Sequence, residues 1–251
     1  MLFLVLVAHT VFAQNPADTS ANTPPARHIF GGEKGTPALA YLPPVLFLAY
    51  GAAGLGNNPV RNIDHFVYAD RLEDMPHFST QVDNYLQFAP AAAVYALNFS
   101  GVPGRHNFAD RTMLYVLSTA FMGGSVYLLK NATQQLRPNG NNMLSFPSGH
   151  TATAFAAAEF LFQEYGDRSP WYGIAGYGIA TATGILRVYN NEHWFSNIIA
   201  GAGVGILSTK LSYLVYPWLK ARLAGEKNAA SFHLVPVFGG GITGMMYVKQ
   251  F

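Results

Sequence analysis

The stretch Ser145-Phe146-Pro147-Ser148-Gly149-His150 runs without a break into Thr151-Ala152-Thr153-Ala154-Phe155-Ala156-Ala157-Ala158, and its reading decides the fold. A turn containing proline and glycine delivers a histidine onto the start of a helix rich in small residues. Two further polar clusters are set into otherwise apolar sequence on either side. Upstream stand Lys130 and, after six residues, Arg137-Pro138; downstream stand Arg187, His193 and Asn197. Two guanidiniums, one ammonium, two imidazoles and a glycine-containing helix start together make a site for a tetrahedral oxyanion. Each arginine can grip two oxygens through its planar fork, and Ser148 and Gly149 at a helix start offer backbone N–H donors to the same anion.

Composition sets the surroundings. The chain has 251 residues, enough for one large domain, and 11% are charged, well below the roughly 25% usual in soluble domains. Much of its surface is therefore expected to face something other than water. A net charge of +2 without any basic run excludes a nucleic-acid partner as the organising feature. The absence of cysteine removes disulfides and thiolate metal sites.

Residues 1–13 form an apolar run expected to be a signal peptide. Residues 14–38, rich in Pro, Gly, Ser, Thr, Asn and Ala, read as a flexible leader. From Ala38 the chain turns hydrophobic, pauses at Gly56-Asn57-Asn58-Pro59, and passes through its most polar part, residues 60–84, expected to be an amphipathic helix at a membrane surface or over the core. Helix-length apolar segments follow at Tyr85–Val102, Met113–Leu129, Thr151–Phe162, Trp171–Leu186 and Trp194–Leu219. The pattern predicts an all-α bundle of about six helices spanning 39–222. A bilayer crossing needs about 20 apolar residues, which the first, second and last of these segments approach or reach, so a transmembrane bundle is expected. A mean hydropathy of +0.16 keeps a soluble periplasmic protein as the alternative. At the end, Phe232–Phe238, a Gly239-Gly240-Gly241 turn and Ile242–Phe251 predict a β-hairpin over 231–251.

The three clusters, in this order and spacing, resemble the signatures of the phosphatidic acid phosphatase type 2 superfamily, to which class A bacterial acid phosphatases and vanadium haloperoxidases also belong. Its patterns read K-x6-R-P, P-S-G-H and S-R-x5-H-x3-D. The first two are intact here; in the third, Leu186 replaces the family Ser and Asn197 the family Asp. The resemblance implies a phosphate pocket made by Lys130, Arg137, Ser148, Gly149 and Arg187. It also implies His193 as the nucleophile that forms a phosphohistidine and His150 as the general acid that protonates the leaving oxygen. No metal or other cofactor is implied; vanadate is expected as a phosphate mimic that inhibits or, in a haloperoxidase, serves as cofactor.

Asn197 is the notable departure. On a helix, positions 193 and 197 share a face, so Asn197 is expected to accept a hydrogen bond from the His193 ring while lacking the charge that stabilises an imidazolium. Activity is accordingly expected to be reduced. The resemblance implies hydrolysis of a lipid phosphate or pyrophosphate in a bacterial cell envelope, with the site facing the periplasm. Isoprenyl diphosphate, phosphatidate, phosphatidylglycerol phosphate and lipid A phosphate all fit. A non-catalytic module that binds a phospholipid headgroup or a protein partner is the alternative from another class.

Overall fold

The computed structural model describes residues 38–225 and the backbone of 231–239 and 242–250. A 3-10 turn (Ala38–Tyr41) leads into α1 (Leu42–Ala53), α2 (Pro59–Asp74), α3 (Val82–Leu86), α4 (Ala89–Phe99), α5 (Phe108–Thr133), α6 (Gly149–Tyr165), α7 (Pro170–Tyr189) and α8 (Phe195–Gly225). The expected signal peptide and nearly all of the expected leader lie outside the described residues. The backbone of Ser231–Gly239 pairs antiparallel with Ile242–Gln250, Gly239 opposite Ile242; Gly240 and Gly241 of the expected turn are outside the described residues.

Helix starts follow local chemistry. Asn58 accepts from the amides of Val60 at 2.9 Å and Arg61 at 3.3 Å, with Pro59 on the first turn of α2. Asn107 accepts from Asp110 N at the start of α5, and Ser169-Pro170 opens α7 in the same way. Among the described residues there are eight α-helices where about six were expected. One added helix comes from Tyr85–Val102, expected as one span: it breaks after Leu86 and restarts as α4, with Pro90 in its first turn. At 11 residues α4 is too short to cross a bilayer. Among the described residues two helices are long and apolar enough to do so, α5 and residues 195–222 of α8. Large apolar side chains of α5 such as Val116, Tyr127 and Leu128 are exposed.

The middle of the bundle is α6, which packs against α4, α5, α7 and α8. Its alanines at 152, 154, 156, 157 and 158 are all buried, as a helix apolar on every side requires. Two buried ion pairs cross this core. Glu159 meets Lys210 at 2.9 Å, with Gln163 and Tyr177 as further partners. Glu164 takes Arg111 at 3.0 Å, His106 at 2.7 Å and Tyr213 at 2.6 Å. The multiple donors on each carboxylate offset its desolvation.

Close approach of α8 is what brings the functional segments together. A Cβ on Gly205 would stand 2.3 Å from the carbonyl oxygen of Ala152, and one on Gly201 would stand 2.7 Å from that of Ser148. Both contacts are with α6 backbone, which cannot rotate away. Gly205→Ala is therefore expected to force the helices apart and destabilise the protein by about 1–3 kcal/mol. A lowered thermal midpoint in detergent, with Gly178→Ala as the control in open space, checks this.

Candidate active site

Four helix ends and two links supply the site, all at one end of the bundle. Lys130 lies in the last turn of α5, Arg137 in the α5–α6 link, Ser148 caps α6, Gly149 and His150 form its first turn, Arg187 closes α7, His193 lies in the α7–α8 link and Asn197 in the first turn of α8. The α5–α6 link is held by its own backbone and by Trp194, whose Nε1–H donates to Leu136 O at 2.8 Å. Ser145 N donates to Gln135 O at 3.0 Å, so the link returns to its start before entering α6. Lys130 Nζ donates to Leu144 O, which fixes the ammonium beside that return.

The arginines are braced by carboxylates. Arg187 Nη1 lies 2.7 Å from the fully buried Asp83, and its Nη2 lies 3.4 Å from Glu192. Glu192 also takes Nη1 of Arg137. The Nε atoms of Arg137 and Arg187 are both buried without a protein partner. Such a group costs about 1–3 kcal/mol if left unsatisfied, and the two belong to guanidiniums joined through Glu192.

His193 is completely enclosed and its Nδ1 lies 2.8 Å from Ser145 O. A carbonyl can only accept, so Nδ1 carries the proton and Nε2 keeps its lone pair. Burial, followed by the positive charges of Lys130, Arg187 and Arg137, holds its pKa well below the ordinary histidine value. His150 Nε2 lies 2.8 Å from Asn84 Oδ1, and its pKa falls to about 4, from burial first and then the Arg187 charge. Both rings are thus neutral in the empty site at neutral pH.

Asn197 does not take the place expected of it. His193 precedes α8 rather than lying on it, so the one-turn spacing does not bring the two side chains together, and Ser145 O supplies the ring's partner instead. Asn197 Nδ2 donates to Ser145 Oγ at 2.6 Å, and Asn197 O accepts from Ser148 N at 3.1 Å. The Ser148 amide, expected to face the anion, is thereby already occupied. Ser148 Oγ accepts from the Thr151 hydroxyl at 2.9 Å, a cap on α6. Asn197 is a positioning residue: it holds both ends of the segment whose carbonyl orients His193.

Several polar residues at the site carried no sequence signature. Asp64 on α2 accepts from Ser196 N and Ser196 Oγ, both at 2.7 Å, and so caps α8 from outside. Asn190 clasps Thr80 through paired bonds of 2.9 Å and reaches Asp83 at 3.2 Å. Arg71 donates to Tyr189 O at 2.9 Å and to carbonyls of 76 and 78. The polar stretch 60–84, expected as an amphipathic helix at a membrane surface or over the core, turns Asp64, Arg71 and Asp83 inward. Two carboxylates buried in so polar a stretch would have been its sign, but neither stands at a spacing that marks it.

The fold is a helical bundle that gathers Lys130, Arg137 and Arg187 around His193 at one end. Residues 111–221 match the PAP2 superfamily. A curated relative, the lipid A 1-phosphatase of Porphyromonas gingivalis, is 42% identical over 155 residues, covering 61% of this chain and 35% of that protein. The chain thus spans about a third of that relative's length. The crystal structure of a transmembrane PAP2-type phosphatidylglycerolphosphate phosphatase from Bacillus subtilis has the same fold. It aligns with a TM-score of 0.50 at 21% identity and covers 72% of this chain and 96% of its own. LpxE of Aquifex aeolicus aligns with a TM-score of 0.41 at 20% identity over 69% of this chain and 95% of its own. Among the described residues no group of three or more His, Cys, Asp or Glu is placed to hold a metal ion.

Two measurements follow. Unfolded histidines bind protons near pH 6.5, while folded His193 and His150 resist them. Between that value and about 4 for His150, the unfolded state holds more protons, so the empty protein loses stability as pH falls through this window. Thermal midpoints from pH 7.5 down to 4.5 should decline, and less so in His193→Gln. Asn197→Leu keeps volume but strands the Ser145 hydroxyl, so a destabilisation of about 1–3 kcal/mol is expected, with kcat reduced more than KM is raised.

Proposed function

We propose that this chain is a membrane-embedded phosphatase that hydrolyses a phosphorylated lipid through a phosphohistidine on His193, without a metal ion. The observation that carries the reading is the pairing of two arginines that keep buried, unpartnered Nε–H groups with a histidine whose Nε2 lone pair is kept free by the Nδ1–H···O=C bond to Ser145.

In this reading Arg137 and Arg187 receive the phosphoryl oxygens, and Lys130 adds a third positive charge as negative charge spreads over them. His193 Nε2 attacks phosphorus and the bond to the leaving oxygen breaks. His150 gives its proton to that oxygen. The arriving phosphate dianion supplies the negative charge that lets His150 hold this proton near neutral pH, which its pKa of about 4 in the empty site does not. Water then attacks the phosphohistidine and passes a proton to His150, and inorganic phosphate leaves with His193 neutral again.

The orientation of His193 by a backbone carbonyl supports turnover despite Asn197. In serine proteases the loss of the charged partner costs about 10⁴ in kcat, largely through the wrong tautomer; here the tautomer is set by the Ser145 carbonyl and needs no charge at residue 197. The Porphyromonas relative is a lipid A 1-phosphatase, which makes the 1-phosphate of lipid A the first substrate to test, beside phosphatidate and phosphatidylglycerol phosphate. The length and apolar character of α5 and α8 support a membrane setting.

Purified protein is expected to release phosphate from at least one of these lipids in the presence of a chelator. His193→Ala should lower the rate by at least about a thousandfold while vanadate binding through the arginines persists. Hydrolysis that survives the substitution would remove His193 from its role. Anion binding with no turnover by the wild type would leave a headgroup-binding module instead.

A further inference from the structure

Two carboxylates meet the arginines of the pocket, and they differ in kind. Asp83 is fully buried, lies 2.7 Å from Arg187 Nη1 and is tied to Asn190 as well. It has no route out. The Glu192 side chain remains 26% exposed and makes its contacts with Arg137 Nη1 and Arg187 Nη2, one guanidinium on each side. Its backbone is anchored, because Glu192 N donates to Arg187 O at 3.1 Å and the neighbouring Asn190 is clasped to Thr80 and Asp83. The link therefore stays in place while the carboxylate can swing to solvent. One carboxylate oxygen, Oε2, meets both guanidiniums, in the place a phosphoryl oxygen would take between them.

We propose that Glu192 is an internal competitor for the phosphate pocket: its carboxylate engages Arg137 and Arg187 and must be displaced from both by any anion that enters. This rests on the phosphate-pocket reading above. The displacement costs substrate and product alike, so the apparent affinity for every phosphate falls by one common factor, and Glu192 returns to the arginines as phosphate departs. A pocket held shut by Glu192 nine-tenths of the time binds a bare anion about tenfold more weakly than an open one.

The test is a titration of full-length wild type, Glu192→Gln and Glu192→Ala with orthovanadate and inorganic phosphate, together with phosphate inhibition of lipid phosphate hydrolysis. Glu192→Gln is expected to bind both anions about tenfold more tightly and to raise phosphate inhibition in proportion. Its KM for the lipid and its inhibition constant for phosphate should fall by similar factors. Glu192→Ala, with no side chain to reach the arginines, should match it or exceed it, and keeps the question answerable if one variant fails to fold. Wild-type turnover and anion binding with unchanged or weaker binding in both variants would sink the role of Glu192 and leave the phosphatase reading standing. No binding of either anion by wild type or variants would overturn the pocket itself, and this proposal with it.

Discussion

Concentrating positive charge where little water reaches is the constraint on which the site depends. Lys130, Arg137 and Arg187 act together on the enclosed His193, and like charges so close repel strongly at low dielectric. The chain answers with carboxylates at fixed places: Asp83 on the far side of Arg187 and Glu192 between the two arginines. Enough positive charge is left over to attract an anion, and enough is neutralised for the helix ends to converge. The histidines register the same field, since burial and the neighbouring cations both hold them neutral.

Helix packing then converts charge into geometry. The glycines of α8 let it lie against the backbone of α6, which brings the starts of the two helices side by side and allows Ser148 N to reach Asn197 O. That hydrogen bond joins the Pro-Ser-Gly-His turn to the His193 link. The Asn197 amide secures the other end of the turn through Ser145 Oγ. Orientation of the His193 ring is in this way a property of two packed helices and one loop rather than of a single neighbouring side chain.

Much of this was legible in the sequence. Lys130, Arg137, His150, Arg187 and His193 were identifiable because each stands in a short pattern, and the small residues of 151–158 marked a helix that others could approach closely. What could not be read were contacts across long separations. Asp64 and Ser196 lie 132 positions apart and Asp83 and Arg187 lie 104 apart, and no periodicity links such pairs. The Asn197 contact was misread for a local reason: helical spacing was applied to 193 and 197, but the helix begins only at Phe195. The split of 85–102 has an equally local cause in Pro90, visible in sequence but overridden by the apolar run around it.

The carboxylates and the amide that complete the site from outside come from α2 and α3: Asp64, Asp83 and Asn84 all precede residue 111, where the match to the superfamily begins. A segment cut to 111–221 would carry every signature residue and still lack the Asp83 counter-charge, the external cap on α8 and the partner of His150. It would be complete as a motif and incomplete as an instrument, an overcharged socket with its insulation removed. Chains that share these three signatures can therefore differ widely in how strongly they hold an anion, and the difference will be written in the helices ahead of the motifs, where comparison by signature does not look.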